Sequence, residues 1–268
     1  MTIIQSIILG IVQGITEFLP VSSSGHLQLF KELMGVELTE NLTFDVALHA
    51  GTVCSTIVVL WSEIRKIFVG VFSTKFNSEQ AYVLKIILSM IPVAVVGFTL
   101  KDYLEQMLSS SYILLIVGVM LLITAALLWY AYSSKPKPKA EISYRDAFII
   151  GVAQALAVMP GISRSGATIA TGLILGNKKE SVAQFSFLMV LVPILGNTLL
   201  DLIGSGGSLD FGNVGGAALV AGFLASFVVG TLACRFMIDI VKRGKLVWFA
   251  YYCLVVGLVS IVGYFIVH

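Results

Sequence analysis

Four side chains in this sequence have the chemistry to transform a bound anion: a carboxylate, a hydroxyl, an imidazole and a guanidinium. Glu17, Ser23 and His26 lie close together in the chain and Arg164 lies far from them, each in or beside an otherwise apolar stretch. Ionisable groups in such surroundings are costly and mark functional sites. The guanidinium offers a planar fork of donors to a phosphate or carboxylate, and a base beside Ser23 could activate its hydroxyl as a nucleophile.

These groups belong to one motif that is written twice. LGIVQGITEFLPVSSSGHL covers residues 9–27, and IGVAQALAVMPGISRSGATI covers residues 150–169. An offset of 141 residues places identical residues opposite one another: Gly10/Gly151, Gln13/Gln154, Ser22/Ser163, Ser24/Ser165 and Gly25/Gly166. Four mismatches change the chemistry: Glu17/Val158, Ser23/Arg164, His26/Ala167 and Leu27/Thr168. The copies therefore share a scaffold and divide the functional groups.

The serine run of the first copy has two interpretations. Its hydroxyls and backbone amides could cap a helix that begins there, or bind an anion at the helix N-terminus. Ser22 and Ser24 have serine counterparts in the second copy, which favours capping. Ser23 is opposite Arg164, which indicates a position where the two copies have specialised.

Glu17 and Arg164 also have structural alternatives. Glu17 could be a carboxylate that hydrogen-bonds the backbone of its own tip, and Arg164 could form an internal salt bridge with it. Gln13 and Glu17 are four residues apart and share a face if their segment is helical. Ser163 and Thr168 would add neutral donors near Arg164.

The composition requires a lipid environment. Hydrophobic residues make up 57% of the 268 positions and charged residues 12%, more apolar surface than a soluble core of this size could bury. Three uncharged segments of 21 or 22 residues are long enough to cross a bilayer: 112–132, 214–234 and 246–267. Three more carry an Asp, His or Lys within them or at their ends: 44–61, 83–101 and 182–203.

The basic residues predict how these six spans are oriented. Thirteen of the 17 lysines and arginines lie in four loops, which we assign to the cytoplasm: 62–82, 133–146, 177–181 and 235–245. Counting spans from these loops, segment 1–30 begins and ends outside, whereas segment 144–178 begins and ends inside. Each is predicted to be a re-entrant hairpin of two short helices with a Ser/Gly/Pro tip. Three spans separate the hairpins, so they enter from opposite faces and their tips can meet.

We therefore predict an all-α polytopic membrane protein with six transmembrane helices and two re-entrant helical hairpins. Residues 1–268 form a single membrane domain, whose halves, 1–132 and 144–268, are inverted repeats joined by the Lys- and Pro-rich linker 133–143. The glycines at 204–216 predict a flexible external loop. The first segment lacks a basic n-region and a cleavage site, so we expect it to be retained.

Other patterns narrow the chemistry. His49 and Asp45 are four residues apart on one helix face, where they either line the cavity or form a packing pair. The three cysteines lie in apolar segments without metal or disulfide spacing, which favours simple packing. Neither an HExxH motif, a P-loop nor a Cys/His zinc pattern is present. The basic residues follow the loops, so nucleic-acid binding is not indicated. We also expect no organic cofactor.

The two motifs resemble a known family. QGITEFLPVSSSGH at 13–26 and PGISRSGAT at 160–168 are similar to the signature motifs of the bacterial undecaprenyl-diphosphate phosphatase family, also called the bacitracin-resistance protein family. SMIPVAVVGF at 89–98 and QFSFL at 184–188 also resemble it, so the similarity spans nearly the whole chain. Many members begin the first motif with Glu, where this chain has Gln13.

The resemblance implies hydrolysis of the lipid carrier undecaprenyl diphosphate to its monophosphate, which recycles the carrier for peptidoglycan synthesis. It implies catalytic roles for Glu17 and His26, a nucleophilic role for Ser23 and a phosphate-binding role for Arg164. The further candidates for substrate binding are Ser163, Ser165, Thr168, Gln13 and Ser24. In this scheme His26 deprotonates Ser23 or a water, and Glu17 orients His26 or holds a divalent ion.

Cofactor, location and partners follow from the same resemblance. Mg²⁺ or Ca²⁺ suits phosphate oxygens, with Glu17 as a candidate ligand. Because Gln13 replaces a carboxylate, the ion would arrive bound to the substrate. We expect a multi-pass protein of the bacterial inner membrane whose site opens to the periplasmic side, and a homodimer is compatible with the sequence.

Two other classes compete with an enzyme. Inverted repeats with broken helices are the plan of many transporters, so a lipid-phosphate or small-anion transporter or flippase is the main alternative. A purely structural membrane subunit leaves Glu17, His26 and Arg164 without an explanation. The asymmetry of the two motifs favours the enzyme, because a nucleophile with a base on one tip and an anion clamp on the other divide the work of a reaction.

Overall fold

The protein is all-helical within the residues that its computed structural model describes, which are 1–36, 42–100, 103, 107, 112–134, 139, 141–204 and 214–267. The helices are α1 (Ile3–Phe18), α2 (Ser23–Leu33), α3 (Leu42–Val59), α4 (Trp61–Val71), α5 (Ser78–Thr99), α6 (Ile113–Ser133), α7 (Tyr144–Leu156), α8 (Arg164–Ile174), α9 (Lys179–Gly204), α10 (Gly216–Arg243) and α11 (Val247–Val267). The predicted all-α class is confirmed for this part of the chain.

Five of the described helices are long and apolar enough to cross a membrane: α5, α6, α9, α10 and α11. Helices α3 and α4 pass the same test together, but the chain bends by 79° between them. The described residues therefore hold five candidate spans, or six if the bent pair counts as one. Each predicted span coincides with a helix, although the segment predicted at 44–61 runs into this bend.

Helices α1 and α2 form a hairpin. Thr2 caps α1 with its side chain, and the chain leaves this helix in an extended conformation at Leu19 before α2 begins at Ser23. Gln5, in the first turn of α1, donates a hydrogen bond of 3.2 Å to the carbonyl of Met34, just beyond the end of α2. The hairpin therefore starts and finishes on the same side.

Helices α7 and α8 form the second hairpin in the same way. The side chain of Ser143 caps α7. The amide of Lys139, which precedes α7, donates a hydrogen bond of 2.8 Å to the carbonyl of Gly176, which follows α8. Lys139 also pairs with Asp146 at 2.8 Å, which fixes the start of α7. Both ends of this hairpin lie together as well.

Each hairpin packs against a long helix that lies on the other side of residues 133–143 in the sequence, α1 on α10 and α7 on α5. The repeated glycines make this possible. A Cβ atom on Gly10 would lie 2.5 Å from the carbonyl oxygen of Gly222, and one on Gly151 would collide with the carbonyl of Ser89. Because α5 and α10 also correspond at the 141-residue offset, the two hairpins are held by equivalent contacts.

A large apolar cluster lies where the hairpins meet the long helices. It contains Phe18 of α1, Ile169 of α8, Phe187 of α9 and Met237 of α10, all buried. The outer faces of α5 and α11 are apolar and exposed, as expected for helices that contact lipid. The site described below therefore rests on a packed interior.

Two predicted segments lie partly or mostly outside the described residues. The structure describes only residues 204, 214, 215 and 216 of the predicted external loop 204–216, and leaves out 135–138 and 140 of the linker 133–143. The division into halves 1–132 and 144–268 stays a prediction.

We expect the substitution Gly10→Ala to destabilise the fold. Its new methyl group meets backbone of α10, which cannot move as a side chain can, and overpacking of this kind costs about 1–3 kcal/mol. Gly97→Ala is the matched control, because a Cβ at Gly97 has no neighbour within 4 Å. Thermal unfolding in detergent should show a lower midpoint for Gly10→Ala alone. Equal midpoints would contradict the close helix contact.

Candidate active site

The tips of the two hairpins touch. A guanidinium nitrogen of Arg164, at the start of α8, lies 3.5 Å from Oε1 of Glu17, near the end of α1. The hydroxyl of Ser165 donates a hydrogen bond of 3.3 Å to the carbonyl of Leu19 in the opposite tip. The predicted meeting of the tips is thus seen, together with the salt bridge that the sequence left open.

Glu17 is the centre of this contact. Its side chain is only 6% exposed, so its charge needs partners within the protein. Its Oε2 atom accepts hydrogen bonds from Ser23 Oγ at 2.7 Å and from Gln13 Nε2 at 3.0 Å. His49 Nδ1 is 3.9 Å from the same oxygen. Gln13 and Glu17 therefore share a helix face, and Gln13 of α1, Ser23 of α2 and Arg164 of α8 all donate to this carboxylate.

A strained turn places Ser23 against Glu17. Ser22 has φ = 70°, and in the described part of the chain no other residue except glycine has a positive φ. This conformation is unfavourable for a residue with a Cβ and persists where the surrounding structure imposes it, often at functional sites. Its counterpart Ser163 has φ = −77°. The turn makes Ser23 the first residue of α2, with its hydroxyl donating to a carboxylate, which is the arrangement of an activated nucleophile.

The start of α2 has free backbone donors. The capping role predicted for the Ser22 side chain is wrong, because its hydroxyl makes no cap hydrogen bond in the positive-φ conformation. No acceptor within the described ranges is found for the amides of Ser23, Ser24 and Gly25. Helix N-termini with free amides bind anions. In the second copy capping is confirmed: the hydroxyl of Ser163 accepts a hydrogen bond of 3.1 Å from the amide of Gly166.

His26 points away from Ser23. Its Nδ1 lies 2.9 Å from the carbonyl oxygen of Ser22, and its Nε2 lies 2.7 Å from the hydroxyl of Tyr252 on α11. Its ring also stacks on that of Tyr252. Both ring nitrogens are therefore occupied, and Glu17 holds the place beside Ser23 that the sequence assigned to His26.

The remaining candidates take supporting positions. Thr168 is fully buried, and its hydroxyl donates to the carbonyl of Arg164 at 2.9 Å, within α8. The hydroxyl of Ser163 lies 3.2 Å from that of Ser165, and no hydrogen bond from it to Glu17 is found among the described residues. Ser24 is exposed at the start of α2. These residues shape the two tips, at which Ser23 and Arg164 both contact Glu17.

A cleft opens beside the tip contact. It encloses about 350 Å³ of free space, including its open mouth. Glu17, Arg164 and Ser165 form its polar end, and its apolar wall comes mainly from α9: Phe187, Val190, Leu191 and Ile194. A charged end with an apolar wall suits an amphipathic ligand whose head group is anionic.

Two further residues contribute to the site beyond the catalytic and substrate-binding residues predicted from the sequence. For His49 the sequence left open a place in the cavity or a packing pair with Asp45. Asp45 pairs instead with Lys31 at 2.6 Å, and His49 faces Gln13 at 3.0 Å. Tyr252 carries no signal in the sequence, because it lies in a long apolar segment far along the chain from His26. Only the packing of α11 brings them together.

The side chains at the tip contact do not form a complete set of ligands for a divalent ion. Among the residues that the structure describes, Glu17 is the only carboxylate at the tip contact, and it accepts hydrogen bonds there from Gln13, Ser23 and Arg164. Among the described residues, no group of three His, Cys, Asp or Glu side chains is arranged to bind a metal. Mg²⁺ and Ca²⁺ prefer several oxygen ligands, which these residues do not supply.

Comparison with known proteins identifies the family. Residues 6–259 match the family model described as bacitracin resistance protein BacA. The chain is 54% identical to a protein of Bacteroides thetaiotaomicron named undecaprenyl-diphosphatase, over 98% of this chain and 99% of the relative. It is 56% identical to a protein of the same name from Parabacteroides distasonis, over 96% of each, and 38% identical to one from Methanosphaera stadtmanae, over 97% of each. The chain therefore belongs to the bacitracin resistance protein BacA family.

Proposed function

We propose that the chain is an integral membrane phosphatase that hydrolyses undecaprenyl diphosphate to undecaprenyl phosphate and inorganic phosphate. The observation that carries this proposal is the 2.7 Å hydrogen bond from Ser23 to a buried Glu17, which lies beside the Arg164 guanidinium at the polar end of an amphipathic cleft. The names of the relatives support the same activity. The product is the lipid carrier of peptidoglycan synthesis, and its regeneration fits a family named for bacitracin resistance.

The geometry supports a two-step reaction. Ser23 Oγ attacks the terminal phosphorus, its proton passes to Glu17, and the bond between that phosphorus and the bridging oxygen breaks to release the prenyl monophosphate. Water then cleaves the phosphoseryl bond, Ser23 regains a proton and inorganic phosphate leaves. Arg164 and the free amides at the start of α2 hold the phosphoryl oxygens as their charge changes. If water attacks directly instead, Glu17 is the base for that water.

A divalent ion would have to come with the substrate. Diphosphate oxygens supply the ligands that the tip residues lack, so we propose that Mg²⁺ or Ca²⁺ enters as a complex with the diphosphate. His26 lies in the first turn of α2 and contacts Tyr252. It is therefore a neighbour of the backbone amides that we propose bind the phosphoryl oxygens.

The two hairpins are best placed as re-entrant segments. Helix α1 has 16 residues and α2 has 11, too short for a bilayer core of about 30 Å at 1.5 Å per residue, and each hairpin returns to its starting side. This placement gives six transmembrane spans and two inverted halves, with the basic loops on the cytoplasmic side. The site would then open to the periplasmic side of the inner membrane. The homodimer stays a prediction.

Transport is the competing function. Two hairpins that meet from opposite halves, with Glu17 and Arg164 as a pair for a substrate or proton, also fit a carrier of lipid phosphates or small anions. The enzyme is favoured because the strained turn and the serine–carboxylate contact occur in only one of the two tips. A carrier site has no need for an activated hydroxyl.

We expect purified protein in detergent to release phosphate from a prenyl diphosphate, and Glu17→Gln to lower kcat by about 10²–10⁴-fold, because the amide cannot accept the proton. Cys54→Ala on α3 is the control and should retain full turnover. Chelation of divalent ions should lower the rate, and added Mg²⁺ should restore it. Native protein that releases no phosphate would leave transport as the better function.

We expect Ser23→Ala to lower kcat by about 10³-fold or more if the serine is the nucleophile, since the residual rate depends on binding and electrostatics alone. Rapid acid quenching of native protein with substrate labelled in the terminal phosphate should trap label on the tip peptide. Full turnover by Ser23→Ala would remove the covalent step and support direct attack by water.

The proposed orientation predicts which positions a membrane-impermeant maleimide can reach in intact spheroplasts. Leu33→Cys, whose parent side chain is 72% exposed at the end of α2, should react. Ser73→Cys, in the exposed loop after α4, should react only after lysis. The native cysteines are first replaced in both: Cys54, Cys234 and Cys253. The opposite pattern would contradict an outward-opening site.

A further inference from the structure

Gln13 links Glu17 to a second titratable group. Its Nε2 atom lies 3.0 Å from Glu17 Oε2 and 3.0 Å from His49 Nδ1. A side-chain amide nitrogen has two hydrogens, and both are donated here. This orientation of the amide corresponds to a neutral His49, with Nδ1 as the acceptor and the ring proton on Nε2, beside a Glu17 carboxylate.

The other atom of the same amide has no partner. Oε1 of Gln13 is buried and accepts no hydrogen bond. An orphaned buried acceptor is costly, so it requires an explanation. Rotation of the amide by half a turn would exchange Nε2 for Oε1, and the oxygen would then accept a hydrogen from a protonated His49 or from a protonated Glu17. Gln13 can thus serve both protonation states of its neighbours.

His49 is more exposed than the carboxylate that it faces. Its side chain is 29% exposed, whereas that of Glu17 is 6% exposed. The charged groups that act on it are Glu17 of α1, Arg164 of α8, Lys31 of α2 and Asp45 of its own helix. In the second copy of the motif, Val158 and Val190 stand at the positions of Glu17 and His49. The imidazole therefore occurs only where the carboxylate does.

We propose that His49 is the proton-exchanging partner of Glu17, and that it supplies the titratable group that Gln13 cannot provide at the first position of the motif. This inference rests on the proposed phosphatase function. Of the groups that contact Glu17, which are Gln13, Ser23, Arg164 and His49, the imidazole is the one whose ordinary titration lies near neutral pH.

In this proposal the hydroxyl proton of Ser23 moves to His49 and back in each reaction cycle. When Ser23 Oγ bonds to phosphorus, its proton moves to Glu17 and on to Nδ1 of His49, while the bridging oxygen leaves with the prenyl monophosphate. When water cleaves the phosphoseryl bond, the stored proton returns through Glu17 to Ser23 Oγ, and both water hydrogens leave with the inorganic phosphate. The amide of Gln13 turns once in each direction.

The test begins with His49→Asn, which keeps a polar acceptor near Gln13 but cannot titrate. We expect kcat to fall by about 10–100-fold, with KM for the prenyl diphosphate changed less than about twofold. His49 must be neutral to accept a proton, so native kcat should decline on the acid side as His49 charges. In His49→Asn that decline should move to lower pH. Unchanged kcat and an unchanged pH profile would overturn the proposal.

Rescue separates proton exchange from packing. Gln13→Glu in the His49→Asn background places a titratable carboxylate beside Glu17, and we expect it to restore kcat to within about threefold to fivefold of native. A folded double variant that stays as slow as His49→Asn would also overturn the proposal. Thermal unfolding midpoints establish folding, and Cys54→Ala controls for substitution on α3.

The same assay distinguishes a failure of the proposed phosphatase function from a failure of the proposed role of His49. A native protein that releases no phosphate would remove the proposed function and the role of His49 with it. Native release that is lost in Glu17→Gln but unchanged in His49→Asn would overturn the role of His49 alone. Loss in both variants, with rescue by Gln13→Glu, is the expected result.

Discussion

A buried carboxylate between two hairpin tips is the constraint on which this structure depends. Glu17 is almost completely removed from solvent, and an unpaired charge there would destabilise the fold by several kcal/mol. Its partners come from α1, α2, α3 and α8, so all four helices must end or pass at one point. The glycine contacts that bring α1 against α10 and α7 against α5 serve this requirement, because they set how closely the two halves approach.

The repeat solves the problem with one scaffold used twice. Gly10 and Gly151 each let a hairpin helix approach the backbone of a long helix in the other half. The tips then differ where chemistry requires it. Ser163 caps α8 in a relaxed conformation, whereas Ser22 adopts a positive φ that leaves α2 uncapped and turns Ser23 toward Glu17. The symmetry gives the position of the site, and its local loss places the Ser23 hydroxyl against Glu17 and leaves the start of α2 without a side-chain cap.

The sequence predicted the parts of this arrangement that leave a local signal. Apolar runs marked the long helices, and a repeat with mismatches singled out Glu17, Ser23 and Arg164. The pairing of His26 with Tyr252 leaves no such signal, because it joins residues 226 apart in the chain. The bend between α3 and α4 lies at Leu60, where neither a proline nor a glycine predicts a break in the helix. The positive φ of Ser22 also differs from the conformation that residues with a Cβ atom prefer. Tertiary packing decides these features.

The salt bridge between Arg164 and Glu17 gives each charged group of the tip contact an opposite charge. A guanidinium and a carboxylate that face an apolar wall would each lack such a partner if the tips stood apart, and at the tip contact each compensates the other. A diphosphate brings oxygens that can take the place of the carboxylate on Arg164. The hydrogen bonds that Glu17 accepts from Gln13 and Ser23 lie within its own hairpin, so they do not depend on the salt bridge. Contacts across the tips and contacts within one hairpin therefore hold Glu17 independently.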